Sequence, residues 1–265
     1  MSVMRQVRID PDFTSWQRAA KWMLLDQTPP HLVEWVQGGS EQASLFAFAE
    51  EFTHDHAGLL SVPREFIEMA RAVACHRDPR HWGLMYRVLW RLFTEDRKLL
   101  RITVDPDIRA MIELQQQVRR DAHHMLSFVR FRELKSESRF VAWYRPDHRI
   151  TRRIAPSFLK RFRAMHWSIL TPDECAHWDG DELLFTRGVE RQTAPAADSM
   201  EELWCEYYRS TFNPARVNEK LMRQFMPARH WQNMPEAEVI HQTIANSAQR
   251  VEQMLSHKRP RREES

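Results

Sequence analysis

Only six glycines occur in 265 residues, too few for glycine-rich phosphate loops or for a succession of tight turns. Cysteine is scarcer still. Cys75, Cys175 and Cys205 are odd in number and far apart, which excludes a disulfide framework and fits a reducing cytoplasm. No Cys-x-x-Cys occurs, so the zinc pattern of the nucleobase deaminases is missing. No apolar run approaches the roughly 20 residues that span a bilayer, and Met1 to Pro11 contains no signal-peptide core. The expectation is a soluble, cytoplasmic protein with no membrane partner.

What the chain does hold is aromatic and charged. Ten tryptophans, fourteen phenylalanines and 43% apolar residues argue for a large ring-rich core and against disorder. The net charge of +3 conceals two opposed blocks. From Arg119 to His166 stand thirteen Lys and Arg against four acids, and from Asp173 to Glu206 two arginines against ten acids. A basic block this dense is an electrostatic footprint for phosphate. Mutual neutralisation of the two blocks is the competing possibility, and charge pattern alone leaves both open.

The stretch Arg119 to Glu133 is the centre of that basic block. It reads as a helix end running into a strand, Phe128 to Leu134. Strand alternation then places Phe128, Arg130 and Arg132 on one face, and Val129, Phe131 and Glu133 on the other. Around it, residues 3–9, 12–25 and 31–36 read as a β-α-β opening. Helices are expected near 63–76 (capped by Ser61), 78–93 and 105–126, with apolar stripes that mark core. The link Cys75 to His81 crowds two histidines, two arginines and an acid at a helix–helix junction, where an incoming helix favours an anion. Arg139 to Arg145 is a partner strand, 155–165 a helix, Trp167 to Leu170 a short strand. A hairpin with an Asp179-Gly180 turn follows. Further helices are expected from Asp198, Asn213 and Pro235. His54 and His56 have a spacing seen at some metal sites, but no second cluster accompanies them, so no metal and no cofactor are expected.

Several of these runs together resemble a known family. They are Arg119-Arg120-Asp121-Ala122-His123, the Phe-Val-Arg-Phe-Arg-Glu run at 128–133, Trp167 to Pro172, Ala176 to Gly180, Phe212 to Arg216, and Met226-Pro227 with Trp231. In this order, over roughly Leu60 to Ala237, they are similar to a bacterial domain of unknown function described as a DNA-metabolism or DNA-repair protein. Its members occur alone, beside a DNA-repair radical-SAM protein, or fused ahead of a uracil-DNA glycosylase domain. The resemblance implies association with DNA repair and with one of those enzymes as partner. It carries over no glycosylase residues, because the uracil-pocket motifs are missing, and no three-cysteine radical-SAM motif is present.

The leading expectation is a DNA-binding accessory protein. Arg119, Arg120, Arg130, Arg132, Arg152, Arg153 and Arg161 would grip phosphates, since guanidinium groups make bidentate contacts. Exposed rings such as Phe128, Trp143 or Trp178 would stack on unpaired bases. The second reading is an enzyme acting on damaged or modified DNA through a histidine–carboxylate pair, with His177, Asp179, His124 and Asp121 as candidate catalytic residues. A third is a protein-docking adaptor using the acidic segment 173–206. The fold expected is α+β, with helices packed around a small, mostly antiparallel sheet beside an N-terminal β-α-β unit. The expected division is residues 1–58, a main domain at 59–257 and a charged, disordered tail at 258–265.

Overall fold

Asp12 starts the first helix by placing its carboxylate oxygen on the backbone N–H groups of Thr14 and Ser15. In the computed structural model, the residues described are 4–38, 61–134 and 139–191, with Met226, Trp231, Met234, 237–240 and Gln242. Two compact units divide the chain: Met1–His123 with Asp147–Ile150, and His124–Pro146 with Thr151–Ser265. The expected boundary near 58, the His54/His56 pair, the helices from Asp198 and Asn213, and the tail all lie outside the described residues. Among those described, no helix is long and apolar enough to cross a membrane.

The first unit opens with β1 (Arg5–Ile9), α1 (Phe13–Leu25) and β2 (Val33–Gln37), the two strands pairing in parallel with Val7 opposite Trp35. Parallel pairing requires the intervening crossover, which α1 supplies. Its buried residues Trp16, Ala19, Ala20, Met23 and Leu24 recur at helical spacing. Helices α2 (Arg64–Val73), α3 (His81–Thr94) and α4 (Pro106–Phe128) follow. Trp16, Phe66, Trp82, Met85, Tyr86, Ile108 and Met111 form one buried cluster. Within it the Tyr86 hydroxyl donates to the Thr28 carbonyl at 2.6 Å. Pro63, with no side-chain hydrogen bond, sits at the start of α2, so the expected Ser61 cap is not made. At the start of α4, Asp105 caps the N–H groups of Asp107 and Ile108 while its carboxylate holds Arg91 at 2.7 Å.

The second unit is a five-stranded sheet in sequential order: β3 (Arg132–Leu134), β4 (Arg139–Trp143), β5 (Trp167–Leu170), β6 (Glu174–Trp178) and β7 (Leu183–Arg187). Only β4 and β5 run parallel, and α5 (Thr151–Arg161) connects them. The others pair antiparallel, so the protein is α+β with a mostly antiparallel sheet. Helix α5 packs on β6 with Ile154, Ala155 and Phe158 buried. Phe131, Phe158 and Trp167 meet ring to ring within 6.0–6.3 Å.

The expected strand from Phe128 to Leu134 is corrected. Helix α4 continues through Phe128, with the Val129 N–H still bonded to the Met125 carbonyl at 3.1 Å. Extended pairing begins only at Arg132. Phe128, Arg130 and Arg132 therefore do not share one strand face.

Candidate nucleic-acid interface

Helix α5, Thr-Arg-Arg-Ile-Ala-Pro-Ser-Phe-Leu-Lys-Arg, contains no acidic residue. A 3.6-residue repeat separates its two sides. Thr151, Ile154, Ala155 and Phe158 are buried, whereas Arg152, Arg153, Pro156, Ser157, Lys160 and Arg161 are exposed. Arg163, just past the helix end, is exposed as well.

These cations are not equivalent. Arg152 bonds Glu174 with two guanidinium nitrogens, and its guanidinium carbon lies 4.0 Å from the Phe185 ring centroid. The Arg161 guanidinium lies over the Phe162 ring, 5.0 Å from its centroid. Arg153, Lys160 and Arg163 enter no ion pair among the described residues. Among the described residues, the acidic segment pairs with this helix through Glu174 and Arg152.

Beside the helix, His177 sits on β6 with Nδ1 2.9 Å from Ser168 Oγ and Nε2 2.7 Å from Thr186 Oγ1. Burial first, then the charge of Arg139, pushes its pKa below the ordinary histidine value. Asp179 Oδ1 accepts from the N–H groups of Asp181 and Glu182 and so pins the β6–β7 turn. Those backbone bonds hold its carboxyl below the usual range. His177 and Asp179 thus each serve the local fold through different partners.

Of the candidate stacking rings, Trp178 requires correction. It is only 6% exposed, and its indole N–H donates to the Arg163 carbonyl at 3.0 Å. It is therefore a core ring that anchors the end of α5. Trp143 is half-buried, with the Arg191 guanidinium 5.6 Å from its centroid. Phe128 is half-buried at the end of α4, its ring 5.7 Å from that of half-buried His124. Arg130 turns back to donate to the Ser127 and Val129 carbonyls. Arg132 is half-buried on β3.

In the first unit, Arg119 and Arg120 are exposed on α4. Asp121 is 3% exposed and accepts the His148 backbone N–H at 2.8 Å. That bond belongs to a histidine junction only half visible in the sequence. The His76 and His148 ring centroids lie 4.2 Å apart, their planes tilted by 32°. The Asp78 N–H donates to His76 Nδ1 at 3.1 Å, so His76 Nε2–H faces Gln117 Oε1 at 3.0 Å. The Arg77 N–H reaches His148 Nδ1 at 3.4 Å. His81 Nδ1 contacts the Asp78 carbonyl while Nε2 is buried with no partner. The Cys75–His81 run signalled crowding, but nothing in it indicated that loop 147–150 closes over it. Asp78 itself pairs with Arg80, which holds its carboxyl at about 2. The anion expected at the start of α3 is thus supplied by the chain's own carboxylate. Among the described residues no group of three or more His, Cys, Asp or Glu is placed to hold a metal ion.

No curated protein and no solved structure matches this chain. One family model does, over residues 79–236, a span that includes α3, α4, the whole five-stranded sheet and α5. With more than half of its length matched, the chain belongs to the family described as "Domain of unknown function (DUF4130)".

Proposed function

We propose that this protein is a DNA-binding accessory factor of DNA repair or DNA metabolism that grips the phosphate backbone with the solvent side of α5. The observation that carries the reading is the acid-free helix face bearing Arg153, Lys160 and Arg161, with Arg163 beside it. Such a face binds phosphates without reading sequence, because backbone contacts position a protein while base-edge contacts specify. Arg119 and Arg120 on α4 are further candidates for phosphate contact. The repair context, and a uracil-DNA glycosylase or radical-SAM protein as partner, come from the motif resemblance described above.

The test is binding of single-stranded, duplex and uracil-containing oligonucleotides by the full chain, with and without the paired change Arg153→Glu and Lys160→Glu. The pair is expected to weaken binding to all three, and unchanged affinity contradicts the proposal. The enzymatic alternative is not adopted, because His177 meets two hydroxyls and Asp179 Oδ1 serves its own turn.

A further inference from the structure

A cavity of about 410 Å³ opens in the first unit, bounded by α1, the start of α2 and α3. Its size falls within the roughly 300–1,000 Å³ of small-molecule sites. Trp16, Leu24, Phe66 and Leu89 line it and are all buried. The Trp16 indole N–H has no hydrogen-bond acceptor. Arg18 and Lys21 also line it, one turn apart on α1, and both are exposed. No carboxylate contributes to the wall, and neither cation enters an ion pair among the described residues.

An apolar interior with two exposed cations in its wall selects a molecule with an apolar body and an anionic end. We infer that this cavity binds a medium-sized amphipathic carboxylate, its hydrocarbon part against Leu24, Phe66 and Leu89 and its carboxylate at Arg18 and Lys21. Nucleobases fit the same space poorly. A base edge needs several fixed donors and acceptors, and the buried part of this wall offers only an indole N–H. The inference is independent of the nucleic-acid reading.

The experiment is isothermal titration of the full chain with decanoate, 1-decanol and acetate. Decanoate is expected to saturate at one molecule per chain. Acetate, lacking the apolar body, and decanol, lacking the charge, are each expected to bind about tenfold more weakly or worse. Changing Arg18 and Lys21 together to Gln alters only exposed side chains and should weaken decanoate about tenfold. Ile67→Trp, which fills the wall from α2, should abolish binding; where that variant fails to fold, Val62→Trp replaces it. Non-saturating uptake, equal binding of decanol and decanoate, or decanoate affinity unchanged by the double substitution overturns the inference.

Discussion

Burial of His81 makes a single residue answerable for part of the acid sensitivity of the first unit. Its side chain is 1% exposed, and desolvation lowers its pKa from 6.5 to about 4. In the unfolded chain the same ring takes up a proton near pH 6.5. Its neutral burial therefore stabilises fully above that value, and the contribution falls as pH drops from 6.5 to about 4. The loss is on the order of 3 kcal/mol. Denaturant unfolding followed against pH should show this decline, and His81→Phe, which cannot titrate, should flatten it. An equally steep decline in the variant contradicts the assignment.

Asp105 works in the opposite chemical sense. The Arg91 guanidinium holds its carboxyl down from 3.8 to about 2, and the two side chains are only 23% and 12% exposed, shielded enough to exceed an open surface pair. A depressed carboxyl stabilises above the unfolded value and loses that contribution as pH falls through the folded one. Asp105→Asn retains a capping side chain but loses the charge. It should cost about 1–2 kcal/mol at neutral pH, and the gap to the unsubstituted protein should close as pH falls toward 2.

At the scale of elements, the β6–β7 turn depends on one glycine. Gly180 has φ +102°, and a Cβ there would stand 3.0 Å from His166 Nε2. Gly180→Ala should cost about 1 kcal/mol, whereas Asp181→Ala beside it, which keeps its backbone N–H to Asp179, should stay within about 0.5 kcal/mol. Thermal unfolding of the two variants separates them, and equal effects contradict the backbone argument. This turn was legible in advance, since Asp-Gly between two apolar runs announces a hairpin. The β-α-β opening and the core stripes of α1, α3 and α4 were legible for the same reason, that their periods are clean. The start of α5 was not. Ala155-Pro156 suggests a proline in the first turn, yet the helix begins at Thr151 and carries Pro156 inside it. The strand expected from Phe128 failed because aromatic–basic alternation also suits a helix end, and Leu126, Ser127 and Phe128 continue α4.

At the scale of the whole molecule, charge density singled out the basic block without ranking its members by exposure. Arg130 and Arg132 are both half-buried, while exposed cations of the second unit stand on α5 and just beyond it, and also at Arg139, Arg145, Arg187 and Arg191. The solvent side of α5 was legible from its apolar spacing: Phe158 is buried, while Lys160, Arg161 and Arg163 are exposed. Ring exposure was hidden: Trp178 lies beside a turn, yet its indole reaches the Arg163 carbonyl. Where the acidic segment meets α5 among the described residues, Glu174 pairs with Arg152. The account therefore rests on an open cationic face. The most direct test is the slope of log affinity for a single-stranded oligonucleotide against log salt. With three or four phosphates contacted, affinity should fall by roughly 15- to 50-fold between about 50 and 200 mM salt. Arg153→Glu with Lys160→Glu should flatten the slope by about 1.4. A slope near zero, or one the double variant leaves unchanged, would contradict the account.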